Sequence, residues 1–131
     1  MMNKKSNNRI LLVDDEPDIA LAFKIGLEDN GFVVDVFNDP LLALSSLKQG
    51  LYVLALLDIK MPRMNGFDLY SEIRKLDDKV KVCFMTAFDI KKEDIEAAVI
   101  PTLNEEKNPT VFRKPIKLED LVSGVKAEID N

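Results

Sequence analysis

The 131-residue chain contains no histidine, no tryptophan and one cysteine. Without histidine there is no imidazole general base, no Ser-His or Cys-His pair and no His-ligated zinc, and Cys83 alone makes neither an internal disulfide nor a four-cysteine metal site. Active chemistry therefore falls to carboxylates, hydroxyls and amines. Long apolar runs are absent too: Leu51 to Leu57 is the longest, about a third of the roughly 20 residues that span a bilayer. The polar start, Met1 to Arg9, lacks the apolar segment of a secretory signal. A soluble, cytoplasmic chain is expected. The charge is −5, with signs scattered and no basic stripe, which argues against nucleic acid as a direct partner.

What is present is enough for one domain. At this length roughly two thirds of the unfolded surface is hidden on folding, and 47% apolar residues supply a core without metal or disulfide staples. Short apolar runs alternate with segments of helical spacing, giving a β-then-α pattern five times over. The runs are Arg9–Val13, Val33–Phe37, Val53–Leu57, Val80–Met85 and Thr110–Arg113. Three are apolar nearly throughout, as parallel strands buried on both faces are. Between them, Ile19, Phe23 and Leu27, then Leu69, Ile73 and Leu76, then Leu118, Leu121, Val122, Val125 and Ile129 form stripes that cover a sheet.

Turn residues punctuate the pattern. Asn30-Gly31 ends the first helix, Asp39-Pro40 opens the second, Gly50 ends it, and Asn65-Gly66 leads into the third. A fourth helix is expected from Ile90 to Ile100, stopped by Pro101, with a polar loop from Thr102 to Pro109. Right-handed crossovers then make a single-domain α/β fold, a doubly wound (βα)5 sandwich on a parallel sheet. Residues 1–8 read as a short polar extension and 9–131 as the domain.

The chemistry-bearing residues follow the apolar runs: Asp14 and Asp15 the first, Asp58 the third, Thr86 the fourth and Lys114 the fifth. All fall at carboxyl ends, where open parallel sheets bind ligands. If the strand order is 2-1-3-4-5, the first and third strands are neighbours about 4.8 Å apart and the three acids cluster. Carboxylates about 5 Å apart repel by roughly 3 kcal/mol per pair at an effective dielectric near 20, which a cation or a proton relieves. Oxygen-only donors suit Mg²⁺ best, with Mn²⁺ a substitute and Ca²⁺ also compatible. Lys114, two strand spacings from Asp58, and Thr86, one strand away, add an ammonium and a hydroxyl. Together they suit the equatorial oxygens of a transferring phosphoryl group, with Asp58 as nucleophile.

Four motifs carry a resemblance. They are Ile10-Leu11-Leu12-Val13-Asp14-Asp15-Glu16-Pro17, Leu56-Leu57-Asp58-Ile59-Lys60-Met61-Pro62-Arg63-Met64-Asn65-Gly66, Met85-Thr86-Ala87 and Lys114-Pro115. Over essentially the whole chain the sequence resembles the receiver domains of two-component response regulators. That resemblance implies a flavodoxin-like fold of order 2-1-3-4-5 and phosphoryl transfer from the phosphohistidine of a sensor histidine kinase, or from a phosphotransfer protein, onto Asp58. It implies Mg²⁺ on Asp15, Asp58 and the Lys60 backbone carbonyl, with Asp14 acting mainly through water. Thr86 and Lys114 would contact the phosphoryl group, and the bond before Pro115 is often cis in the family. Such a domain catalyses only its own phosphorylation and dephosphorylation, then signals to a downstream protein by conformational change.

Each of these residues also has an ordinary explanation: Asp and Thr after strands commonly cap helices, and a lone Lys is usually a solvated amine. Met61, Met64, Phe67 and Cys83 read as packing residues, and Glu93, Glu96, Glu105, Glu106 and Lys107 as surface. Two departures from the family stand out. Val111 occupies the usual aromatic switch position with Phe112 one residue later, and the stretch from Thr86 to Lys114 is longer and lacks the common Gly-Ala pair. Lys60 and Phe88 hold the two variable positions that tune phosphoryl lifetime in the family, where Phe88 is expected to shield the acyl phosphate from water. The alternatives are a pseudo-receiver that binds its partner without phosphorylation and, below it, a haloacid-dehalogenase-like phosphohydrolase. The latter would need its nucleophile in an Asp-x-Asp pattern after the first strand, where this chain has Asp14-Asp15-Glu16.

Overall fold

The computed structural model describes residues 7–87, 90–103 and 109–130. Five strands and five helices alternate: β1 (Arg9–Val13), α1 (Pro17–Glu28), β2 (Val33–Phe37), α2 (Pro40–Ser46), β3 (Leu54–Asp58), α3 (Gly66–Leu76), β4 (Lys81–Thr86), α4 (Lys92–Leu103), β5 (Thr110–Arg113) and α5 (Leu118–Asp130). All pairings are parallel and the order is β2-β1-β3-β4-β5, as the resemblance implied.

Strand alternation builds two cores from one sheet. Ile10 and Leu12 of β1, Leu54 and Leu56 of β3, and Cys83 and Met85 of β4 face one side, against Ala20, Phe23 and Leu27 of α1 and Leu121, Val122 and Val125 of α5. Leu11, Val13, Ala55, Leu57 and Phe84 face the other, with Leu69, Tyr70 and Ile73 of α3 and Ile95 of α4. There Phe67 and Tyr70 meet the Phe84 ring edge-on, with centroids 5.5 and 5.8 Å away. The packing expected of Met61, Met64, Phe67 and Cys83 is what these clusters contain. Among the described residues no helix is long and apolar enough to cross a membrane.

Four boundaries move from their sequence positions. β3 and β4 both run one residue later than the apolar runs, so Asp58 and Thr86 are their final residues. Backbone pairing is indifferent to side-chain polarity: Ile59 N–H donates to the Met85 carbonyl at 2.9 Å and Lys114 N–H to that of Thr86 at 2.8 Å, carrying the ladder past the apolar stretch. α2 ends at Ser46, short of Gly50, which instead takes φ +78° in the following turn and donates its N–H to Asp77. α4 begins at Lys92 and continues through Pro101 to Leu103. A proline removes one amide from the i→i−4 ladder and leaves the later amides intact, so it weakens a last turn without ending it. The expected caps hold: Asp39 accepts from the Leu41 N–H at 2.9 Å and Asn65 from the Asp68 N–H at 2.8 Å.

Candidate functional site

The carboxyl ends of β1, β3, β4 and β5 converge on one pocket. At the end of β1, Asp14 is pinned on both sides, its N–H donating to the Phe37 carbonyl at 3.1 Å and its own carbonyl accepting from Asn38 at 2.8 Å. Asp58 closes β3, beside Met85 in the register and so one residue from Thr86. The chain returns immediately after it. Gly66 N–H donates to the Ile59 carbonyl at 2.8 Å, and a Cβ on Gly66 would lie 2.5 Å from the Asp58 carbonyl oxygen, so the turn into α3 tolerates only glycine. Arg63, in the same turn, adopts φ +74° and ion-pairs with Asp39 at 2.8 Å, tying the turn to the start of α2. The Lys114–Pro115 bond is cis, as expected from the family resemblance.

Asp14 and Thr86 are wholly buried and Asp58 is 5% exposed. The Lys114 ammonium, entering from β5, meets three carboxylates: Asp14 Oδ2 at 3.0 Å, Glu16 Oε1 at 3.2 Å and Asp58 Oδ2 at 3.4 Å. Burial, and then the charge of Asp14, push the Asp58 carboxyl up to about 7 despite the opposing pull of Lys114. Burial alone would lower the Lys114 ammonium, but its hydrogen bonds and attraction to these acids outweigh that and raise it. The Thr86 hydroxyl, buried next to this charge, has no hydrogen-bond partner among the described residues. A buried orphan hydroxyl costs roughly 1–3 kcal/mol, which argues for a group that it meets in another state of the protein.

The structure therefore brings Asp14, Asp58, Thr86 and Lys114 together. Asp15 differs: it is half-exposed at the rim, and the described acids whose oxygens lie within 4.8 Å of one another are Asp14, Glu16 and Asp58. Lys60 is exposed just after β3. Val111 and Phe112 are parted by strand alternation: Val111 packs toward α3 and α4, while Phe112 packs toward α5, its ring filling the space a Cβ on Gly124 would take. Phe112 thus cannot replace the ring missing at Val111. Phe88, Glu105, Glu106 and Lys107 lie outside the described residues.

Glu16 is the site residue that sequence reasoning passed over. A faint signal existed, since it precedes Pro17 at the N-cap of α1, a place that favours Ser, Thr, Asp or Asn. Its side chain makes no cap hydrogen bond and turns to Lys114 instead.

A family model for the response regulator receiver domain matches residues 10–126. The response regulator receiver protein CpdR of Brucella abortus is 31% identical over 117 residues, which cover 89% of this chain and 92% of that protein. The transcriptional regulatory protein CpxR homolog of Haemophilus influenzae is 34% identical over 120 residues; the match covers 92% of this chain, which spans about half (49%) of that longer protein. The crystal structure of a CheY-like response regulator receiver domain protein from Methanospirillum hungatei superposes with a TM-score of 0.82 at 28% identity, covering 95% of each chain.

Proposed function

The chain belongs to the response regulator receiver domain family of two-component signalling, and from that premise we propose that it is a phosphoacceptor switch whose acceptor is Asp58. One observation carries the reading: Asp58, almost wholly buried at the end of β3, faces the Lys114 ammonium at 3.4 Å, with the Thr86 hydroxyl, which has no hydrogen-bond partner among the described residues, at the end of the adjoining strand. In the proposed step an Asp58 carboxylate oxygen attacks phosphorus as the P–N bond of a donor phosphohistidine, or the P–O bond of a small acyl phosphate, breaks. Lys114 then pairs with the new phosphoryl oxygens, and the Thr86 hydroxyl donates to one of them. Meeting that oxygen satisfies a buried hydroxyl that the resting state leaves orphaned.

The donor set fits Mg²⁺, or Mn²⁺ in its place, because the gathered carboxylates of Asp14, Glu16 and Asp58 offer oxygen alone, and burial, then the charge of Asp14, holds Asp58 up at about 7 where a cation would relieve it. By the family resemblance, Asp58, the half-exposed Asp15 and the Lys60 backbone carbonyl would hold the ion, with Asp14 acting mainly through water. When bound, such an ion offsets the negative charge that builds up between Asp58 and the incoming phosphoryl oxygens. The proposed partners are a sensor histidine kinase or phosphotransfer protein upstream and a protein, not nucleic acid, downstream, all in the cytoplasm; the chain has a net charge of −5.

Intact-mass measurement after incubation with Mg²⁺ and a small acyl phosphate tests this. The expected result is a gain of one phosphoryl mass that is lost in Asp58→Asn and in EDTA. No gain with either this donor or a phosphorylated kinase, from folded protein, would overturn the reading and favour a pseudo-receiver, for which the departure at Val111 already speaks.

A further inference from the structure

Lys114 has three N–H donors and three carboxylate partners, so its ammonium is saturated in the resting protein, and its longest contact is the one to Asp58. To engage a phosphoryl group on Asp58 it must release a partner. Asp14 is unsuited to letting go: it is fully buried, and while Oδ2 holds Lys114, Oδ1 accepts the Glu16 N–H at 3.0 Å. Stripping a wholly buried carboxylate of its cation leaves an uncompensated charge and is costly. Glu16 differs, because its side chain is 56% exposed and rehydrates on release. It also forgoes the capping role of its position to reach a residue 98 places away.

We infer that Glu16 is a positioning residue, a releasable tether that holds Lys114 on the β1 side of the pocket and restrains phosphorylation of Asp58. This rests on the phosphoacceptor reading for its consequence, though not for the tether itself. The contact is a part-exposed ion pair, so breaking it should speed phosphoryl uptake by about two- to fivefold. Reach, not charge alone, defines a tether. Glu16→Asp keeps the charge but shortens the arm by roughly 1.3–1.5 Å, carrying the 3.2 Å contact beyond hydrogen-bonding distance. Glu16→Gln keeps the length and removes the charge.

Two measurements on wild type, Glu16→Asp and Glu16→Gln decide it. The first is the initial rate of phosphoryl uptake from subsaturating acetyl phosphate with Mg²⁺, by intact mass. The second is the hydrogen-exchange rate of the Lys114 ammonium at fixed pH in metal-free protein, by ¹⁵N-edited NMR. Both variants should take up phosphoryl two- to fivefold faster than wild type and exchange the ammonium protons at least twofold faster. If only Glu16→Gln gains while Glu16→Asp matches wild type, Glu16 acts through its charge on the anionic donor and the tether is overturned. Unchanged ammonium exchange in both variants overturns it as well. If wild type takes up no phosphoryl from acetyl phosphate or from a phosphorylated kinase, the phosphoacceptor reading fails by itself, and the exchange comparison alone upholds or overturns the tether.

Discussion

Replacing Asp58 by Asn should stabilise the metal-free protein, by an amount that depends on pH. The Asp58 carboxyl rises from 3.8 to about 7 on folding because burial and Asp14 together outweigh Lys114. The unfolded chain therefore loses this proton near pH 4, whereas the folded chain keeps it to about pH 7. Between those values the folded state binds more protons, so stability contributed by this group falls as pH rises and levels off above about 7. Three pH units at 1.36 kcal/mol each set a ceiling of about 4 kcal/mol. Solvent at the pocket mouth and movement of the Lys114 ammonium reduce the expected gain for Asp58→Asn to about 2 kcal/mol at pH 8. Urea unfolding of both proteins in EDTA, at several pH values from 4 to 8, measures it. The curves should meet near pH 4 and diverge up to about pH 7, and added Mg²⁺ should narrow the gap at pH 8. A variant less stable than wild type at pH 8, or a difference independent of pH, would refute the account of Asp58 as a buried, charge-crowded acid.

Two further outcomes follow from other parts of the fold. The Tyr52 hydroxyl donates to Asp35 at 2.7 Å, where Arg9 also binds, and burial with that hydrogen bond raises it to about 12. The raised value favours neutral Tyr52, so its contribution is fully present below pH 10 and is lost between 10 and 12; Tyr52→Phe should cost about 1 kcal/mol at pH 7 and lack about 2 kcal/mol of the alkaline loss, by chemical denaturation. Gly66→Ala drives a Cβ to 2.5 Å from the Asp58 carbonyl and 2.9 Å from Ile59 Cα, both backbone, and should cost about 2 kcal/mol or more and slow phosphoryl uptake, by urea unfolding and intact mass.

Much of the site was readable because parallel sheets gather the residues that follow their strands. Asp14, Asp58, Thr86 and Lys114 each stood directly after an apolar run, and any sheet with β1 beside β3 and β4 beside β5 brings such positions to one edge. Strand and helix boundaries were less legible, since β3 and β4 are extended by backbone bonds that side-chain hydropathy does not encode. The same holds for α2, where Leu47 turns to extended backbone before Gly50.

The sequence by itself determined the β/α alternation, through the periods of its apolar residues, and it narrowed the groups available to the candidate site, because a chain without histidine and with one cysteine offers chiefly carboxylates, hydroxyls and amines. Only the tertiary structure decided how those groups share their charges. Whether Lys114 spends its hydrogens on Asp58 alone or divides them among Asp14, Glu16 and Asp58 depends on distances between strands that pairing in three dimensions fixes. Which face of β5 carries Val111 and which carries Phe112 likewise follows from the register with β4, and that register leaves the aromatic ring against α5. Local sequence sets what each residue offers; long-range pairing sets which offers meet, because interactions between residues about a hundred positions apart have no signature along the chain.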